Sequence, residues 1–337
     1  MNILLTSVGR RTYLINYFKH ALGNKGLVYA SNSIFTYSLT QADGYVLTPQ
    51  IYDEGYIAFL MKFCAEKRVS LVISLFDIDL PILAKNKKLF KENNIDIVVP
   101  DYQVTQICND KWKTYNFLSN LGVAQPISFI DLEIAKQAIL EDKIRFPLII
   151  KPRWGMGSIG IYTAYNNEEL SVLYNKVRHD IFETYLKYES ASDINSSVLI
   201  QQMIEGQEYG IEILNDLQGN YVTTFAKKKI AMRSGETDVA ETVSATYFLD
   251  ISKKISENLR HIGMLDADCF ISGNGLCYVL EMNCRFGGQY PFTHNSGADV
   301  PQQIINWSMG MATDYQLLSS KIGVKSCKDL LPVIISE

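Results

Sequence analysis

Glu281 and Asn283 stand two residues apart in the run YVLEMNCRFGGQ, residues 278 to 289, and Arg285 follows at the same interval. Tyr278, Val279 and Leu280 have the β-branched and aromatic bias of a strand, and Gly287-Gly288 stops it. Alternate residues of a strand share one face. The two side-chain oxygens can therefore share a hard cation such as Mg2+, and the guanidinium can face the phosphates that such a cation neutralises. A satisfied polar strand end is the other reading of the same residues. Upstream, the compact strand FPLIIK, residues 146 to 151, delivers Lys151 into PRWGMGSIG, residues 152 to 160. Gly155, Gly157, Ser158 and Gly160 make a mobile loop whose backbone N–H groups can wrap phosphate oxygens, although a glycine-rich hairpin without function would look similar.

These residues need a scaffold, and 337 residues with 47% hydrophobic and 20% charged content can supply one as an ordinary folded chain of two or three domains. NILLT, residues 2 to 6, then Gly9, then the helical spacing of Tyr13, Leu14, Tyr17, Phe18 and Leu22 read as strand, turn and helix. Similar strands follow at 27–31, 69–75 and 95–99, so a parallel sheet with covering helices is expected. A single helix is expected over 104–121 and another over 167–190. Strands are expected on either side of Gly206, at 221–227, and in a hairpin of 267–272 with 276–282 through Gly273-Asn274-Gly275.

A net charge of -4 gives no general drive toward nucleic acid or anionic membrane. The apolar part of the N-terminus is too short for a signal peptide, and no run approaches a membrane span of about 20 apolar residues. The six cysteines show no CxxC or zinc-type spacing, so a reduced, cytoplasmic location is expected. The turn SVGRR, residues 7 to 11, is not a dinucleotide fingerprint, which disfavours a nicotinamide oxidoreductase. Arg10 and Arg11 either face an anion or are solvated. Asp77 and Asp79 end a strand, where such sheets bind ligands, or they cap a helix. The basic run 227–243, KKKIAMRSGETDVAETV, reads on composition as a solvated face with a flexible RSGET.

The ordered set DK, KPRWGMGSIG, QQMIEGQEYG and EMNCR resembles the ATP-grasp superfamily over roughly residues 1 to 312, and most closely the stand-alone ligases that look like one half of the carbamoyl-phosphate synthetase large subunit. The resemblance implies an α/β and α+β architecture. A Rossmann-like pre-ATP-grasp domain would span 1–108, a connector helix and lid subdomain 109–197, a C-terminal catalytic subdomain 198–312, and a tail 313–337. It implies ATP and Mg2+, with Mn2+ as an alternative ion. Lys111 and Lys151 would hold phosphates under the loop of Gly155, Gly157, Ser158 and Gly160. Gln201, Gln202, Met203 and Ile204 would line the adenine hinge, with Gln201 standing where many relatives have Glu, and Glu208 would bind the ribose. Asp268, Glu281 and Asn283 would be the metal ligands. Arg285 would steady the transferring phosphoryl group, and Arg233 would stand beside the substrate. Arg10, Asp77, Gly287 and Gly288 complete the substrate-side expectation. Cys284, where relatives carry proline, is read as a structural substitution, and His294 in the tract 286–301 as a polar loop residue or a catalytic one.

The implied reaction is amide formation through an acyl phosphate, joining a small carboxylate to an amine with release of ADP and phosphate. A carbamoyl-phosphate-synthetase-like reaction on bicarbonate and a non-catalytic nucleotide-binding regulator are the alternatives. A homodimer is common among similar enzymes.

Overall fold

The computed structural model describes residues 1–155, 157 and 159–334. These residues form three sheets. The first contains β1 (Asn2–Thr6), β2 (Val28–Asn32), β3 (Gly44–Leu47), β4 (Val69–Ser74) and β5 (Asp96–Val98), all parallel in the order β3-β2-β1-β4-β5. Its central strands are apolar on both faces because helices cover both, as parallel sheets require. Strand β3 lies at the edge and alternates between half-buried and exposed residues, which is why its sequence carries little signal.

The second sheet, antiparallel in the order β6-β9-β7-β8, contains β6 (Ser128–Phe129), β7 (Leu148–Pro152), β8 (Tyr162–Ala164) and β9 (Val198–Gln202). The helices Leu132–Leu140 and Asn167–Phe182 pack on it, giving a separate core that includes Leu148, Ile150, Val177, Ile181 and Ile200. The third sheet is antiparallel, in the order β14-β13-β10-β11-β12-β15. Its strands are β10 (Gly206–Asn215), β11 (Tyr221–Arg233), β12 (Glu236–Val243), β13 (Gly263–Ser272), β14 (Cys277–Asn283) and β15 (Lys325–Cys327). The two largest cores each combine residues of the first and third sheets, so these two units are packed together through apolar contact. None of the described helices is long and apolar enough to cross a membrane.

Several expectations change, among them the helix expected over 167–190, which ends at Phe182 and is followed by a separate short helix, Lys187–Ser190. The helix expected over 104–121 is two helices, Tyr102–Asn109 and Lys111–Asn120. Between them Asp110 turns extended, and its carboxylate accepts from the N–H groups of Trp112 and Lys113 as the cap of the second helix. The segment 227–243 is a hairpin of β11 and β12 turning at Ser234-Gly235, not a flexible basic face. Asp79 is the first residue of the helix Asp79–Lys85 but does not cap it. Its buried carboxylate instead accepts from the hydroxyls of Thr6, Ser7, Ser74 and Tyr56, tying the carboxyl ends of β1 and β4 to the next layer. The expected tail contributes β15, which pairs with β12.

Behind the third sheet, His261 is fully buried, and its Nε2 lies 3.1 Å from the Ile213 carbonyl. Burial pulls the imidazole from an ordinary 6.5 down to about 4. The unfolded chain therefore takes up a proton that the folded one refuses as pH falls from 6.5 toward 4. Stability should drop by about 3 kcal/mol across that window. Denaturant melts at pH 7 and about pH 4 read the loss, and His261→Gln, which keeps an N–H for Ile213, should show a smaller one.

Candidate functional site

The hairpin of β13 and β14 sets Asp268 directly opposite Glu281, and Asp266 opposite Asn283. Next to it, β10 aligns Gly210 with Asp268 and Glu212 with Asp266, and β11 aligns Lys227 with Gly210. One face of the third sheet thus carries a polar ladder across four strands. The period of two that placed Glu281 and Asn283 on one face also places Lys227 and Lys229 there, with Lys228 exposed between them. By composition alone the basic run reads as a solvated face. In the fold, Lys229 Nζ donates to Glu208 Oε1 at 2.7 Å and to Asp268 Oδ1 at 2.6 Å, and Lys227 donates to Glu212 with both side chains fully buried. The signal that could have found them is the alternation Lys-Lys-Lys in a strand otherwise rich in buried residues.

Two cavities meet at this ladder. One, of about 510 Å³, is lined by Lys111, Lys151, Gly155, Gly157, Gln201, Gln202, Met203, Ile204, Glu208, Asp268 and Glu281, with apolar walls from Ile149, Ile161, Phe270 and Leu280. Its size lies within the range of small-molecule and cofactor sites, about 300 to 1,000 Å³. The other, of about 250 Å³, is lined by Arg11, Lys229, Glu236, Asp266, Asp268, Glu281, Asn283, Arg285, Gly288 and Gln289. Asp268 and Glu281 belong to both walls, so the cavities are neighbours across these two carboxylates.

The charges are interlocked. Burial pushes the Asp268 carboxyl up to about 6, against Lys229 and with the help of Asp266 and Glu281. Burial would raise Glu281 too, but Lys111, Lys151 and Lys229 together hold it below the usual carboxylate range. Lys111 Nζ is 3.9 Å from Glu281 Oε2. Lys151 Nζ donates to Gln201 Oε1 at 2.8 Å, and the Gln201 amide donates to Ser128. Gln201 therefore uses one carbonyl lone pair on Lys151, which its sequence position did not reveal. Burial lowers Lys151 to about 8. Binding of a phosphate by Lys151 should weaken as pH rises through about 8, because the amine loses its charge. Nucleotide affinity measured from pH 7 to about pH 9 reads this, and Lys151→Arg, which stays charged, should flatten the profile.

Arg285 reaches from the end of β14 to the first sheet, with Nη2 2.7 Å from Asp77 Oδ2 and Nη1 3.4 Å from Asp266 Oδ2. Asp77 is thereby brought to the cluster as the anchor of Arg285. Gly287 is required by packing, since a Cβ there would fall 2.1 Å from the Asp266 carboxylate. The base of the glycine loop is fixed by Arg153, which forms a bidentate pair with Asp110 at 2.8 Å for each bond. Gly157 has φ 65°, open to glycine at no steric cost, and Ser158 lies outside the described residues.

Some expected residues are not brought in. Arg10 is exposed, and its neighbour Arg11 lines the smaller cavity instead. Arg233 is at the far end of β11, paired with Asp238 and donating to the Lys328 carbonyl at 3.3 Å. His294 stacks on Tyr17 with ring centres 3.6 Å apart, and burial lowers its pKa. The buried Cys284 is a core residue.

Among the described residues, no three His, Cys, Asp or Glu side chains are gathered for a metal ion. The candidate set is instead two facing carboxylates, Asp268 and Glu281, with the amide oxygen of Asn283. Hard oxygens in this number suit Mg2+, which usually takes one or two carboxylates and completes its shell with waters and phosphates. Burial raises Asp268 and the neighbouring Asp266 and Glu281 add to it, and a divalent cation would relieve that carboxylate repulsion.

Residues 144–291 match the model of the ATP-grasp domain, and residues 3–98 match that of the PylC-like N-terminal domain. The chain has the ATP-grasp fold. It is similar to a carbamoyl-phosphate synthase of Methanobrevibacter smithii, 23% identical over 326 residues that cover 90% of this chain and 80% of that one. Against the carbamoyl phosphate synthase large chain of Clostridium perfringens, 22% identical, it spans only 24% of the relative's length. Among solved structures, the biotin carboxylase domain dimer of Hydrogenobacter thermophilus 2-oxoglutarate carboxylase, in complex with MgADP, ADP and bicarbonate, matches with a TM-score of 0.74 at 18% identity, over 96% of this chain and 73% of that one. The L-amino acid ligase from Bacillus licheniformis matches with a TM-score of 0.73 at 20% identity, over 99% and 81%. At these identities the structural likenesses carry the ATP-grasp fold alone.

Proposed function

We propose that this chain is an ATP-dependent carboxylate–amine ligase that uses Mg2+. The observation that carries the reading is the pair of cavities divided by Asp268 and Glu281, one sized for a nucleotide and the other lined by Arg285. The MgADP complex of the Hydrogenobacter relative supports the nucleotide, and the Bacillus ligase supports the reaction class.

ATP would occupy the larger cavity with its adenine at the segment 201–204, its ribose at Glu208 and its phosphates between Lys111 and Lys151. Asp268, Glu281 and Asn283 would hold the Mg2+, which supplies neutralisation of phosphate charge. Arg285, anchored by Asp77 and Asp266, would orient the acid in the smaller cavity. A carboxylate oxygen attacks the γ-phosphorus, the bond to the β-phosphate bridging oxygen breaks, and ADP leaves. The amine then attacks the carbonyl carbon, the carbon–oxygen bond to phosphate breaks, and the nitrogen gives up its proton to water. Catalysis here is positioning and charge stabilisation. Closure of the glycine loop would keep water from the acyl phosphate.

The test is a screen of carboxylic acids crossed with amines, read as ADP and phosphate release. Turnover should need both partners. AMP and pyrophosphate as products would rule out the acyl-phosphate route, and turnover with bicarbonate and no organic acid would favour a carbamoyl-phosphate-synthetase-like reaction, which the curated relatives support. We also propose a homodimer, in line with the Hydrogenobacter dimer, and a cytoplasmic location, in line with six cysteines that form no disulfide.

A further inference from the structure

A third cavity, of about 10 Å³, has room for a single non-hydrogen atom. It borders both of the others, sharing Lys111 and Glu281 with the nucleotide cavity and Glu281 and Asn283 with the smaller one. Three further side chains of its wall bring acceptors. Arg285 places both of its bonds to Asp77 on Oδ2, which leaves Oδ1 buried without a partner in a residue only 2% exposed. Asn109, at the end of the helix Tyr102–Asn109, gives its amide N–H to the Asp77 carbonyl, and its own Oδ1 is likewise buried and unpartnered. Glu189 enters from the short helix Lys187–Ser190, where Tyr188 stacks on Tyr52 with ring centres 4.4 Å apart. Its partly buried carboxylate makes no hydrogen bond or ion pair among the described residues.

The charges of this wall do not cancel. Asp77 is matched to Arg285 and Glu281 to Lys111, which leaves Glu189 over. Burial and the nearby Asp77 push the Glu189 carboxyl up to about 7, with Lys111 acting against them. A water has two hydrogens, enough for Asp77 and Asn109, and leaves both the third acceptor and the charge unanswered. An anion is repelled. A primary ammonium group brings one positive charge and three N–H donors, one for each of the three side chains. The place also suits a nucleophile. Asp77 anchors the Arg285 that orients the acid in the proposed reaction, so a nitrogen held on the other oxygen of Asp77 is set beside the reacting end of the acid.

We infer that this cavity holds the amine substrate, as a primary ammonium nitrogen bound by Asp77, Asn109 and Glu189. This deepens the ligase reading and rests on it for the fate of the nitrogen. Before attack the ammonium leaves one proton on the Glu189 carboxylate. The nitrogen then bonds to the carbonyl carbon, the carbon–oxygen bond to phosphate breaks, and the second proton goes to water. Room for one atom admits ammonia whole, or the amino end of a primary amine whose body extends past Asn283 into the smaller cavity.

The first test needs no acid. Thermal melts of the chain with MgADP are followed at constant ionic strength as sodium chloride is replaced by ammonium, methylammonium, potassium or tetramethylammonium chloride. Ammonium should raise the midpoint saturably, and a further rise with methylammonium assigns the site to primary amines rather than to ammonia alone. Potassium and tetramethylammonium offer no N–H and should leave the midpoint where sodium does. Glu189→Gln should raise the half-saturating ammonium concentration by about 10- to 100-fold, and Asn109→Leu, which removes one acceptor, should raise it by less. The melts without ammonium read whether each variant folds, and either one alone suffices for the comparison. A response to potassium equal to that to ammonium, no response to ammonium, or folded variants that respond as the wild type does, each overturns the inference. The second test takes acids from the screen above with ammonium or methylamine and reads amide formation. Glu189→Gln should raise the KM for the amine by the same factor and leave the KM for ATP within about threefold. Ammonium binding that Glu189→Gln abolishes, with no amide from any acid, would count against the ligase reading and uphold the site. Amide formation whose amine KM is unmoved by Glu189→Gln would uphold the ligase and overturn the site.

Discussion

The Glu281→Ala variant is expected to lose about 10²- to 10³-fold in ATP turnover while remaining folded. Glu281 stands in the wall of both cavities and is the common neighbour of three lysines, which hold it ionised. Its removal takes away one of two carboxylates for the cation and leaves Lys111, Lys151 and Lys229 with less opposing charge. It should therefore raise the Mg2+ concentration needed for half-maximal rate as well as lower the maximum. The Glu281 side chain is about one-third exposed, so its loss costs little apolar burial and the thermal midpoint should shift by no more than a few degrees. Glu281→Gln keeps the shape and one oxygen acceptor and should fall between. ADP release under Mg2+ titration, with circular dichroism melts as control, separates the outcomes. A folded Glu281→Ala variant within tenfold of wild type would remove Glu281 from the metal-binding role.

The second large effect is on stability. Lys227 and Glu212 are both fully buried and bonded to each other, and Thr293 also donates to Glu212. Replacing Lys227 by methionine leaves a carboxylate without its cation in the core, for an expected loss of about 3 to 5 kcal/mol. Replacing both, as Lys227→Met with Glu212→Leu, removes the charge together with its partner and should recover most of that loss, since a buried pair is often no better than the apolar residues that would fill its place. Urea denaturation of the two single variants and the double variant measures the coupling. Additive losses would mean that the pair is not energetically joined. Lys227 is on the same face as Lys229, one turn of the pleat away, so the single variant should also disturb Asp268 and Glu208.

The part of the site that lies within one strand could be read directly from the residues. Glu281, Asn283 and the β13–β14 hairpin follow from a period of two and a glycine turn, and Asp268 falls opposite Glu281 in the register. What escaped reading depends on contacts between distant segments. Nothing local distinguishes Lys229 from Lys228, because one strand register buries the first against Glu208 and Asp268 and exposes the second. The break at Asp110 is invisible in helical periodicity, which continues through it; the capping bonds and the pair with Arg153 decide. Arg10 and Arg11 differ by one position in a tight turn, and only the course of the turn sends the second toward Leu75 and the cavity. Only the family resemblance places Arg233 beside the substrate, and the hairpin carries it to Asp238 instead.

Arg285 and Asp77 are separated by 208 positions in the chain, yet the bond between them joins the third sheet to the end of the first. This makes ligand affinity and the docking of the two units parts of one equilibrium. An anion that draws on the charge of Arg285 competes with Asp77 for it, and so weakens one tie between the units as it binds. By reciprocity, a change that loosens the docking at Asp77 must alter the affinity for that anion by the same factor. Substitutions on the remote face of the first sheet can therefore tune substrate affinity without touching the cavity, to the extent that they shift how firmly Asp77 is presented.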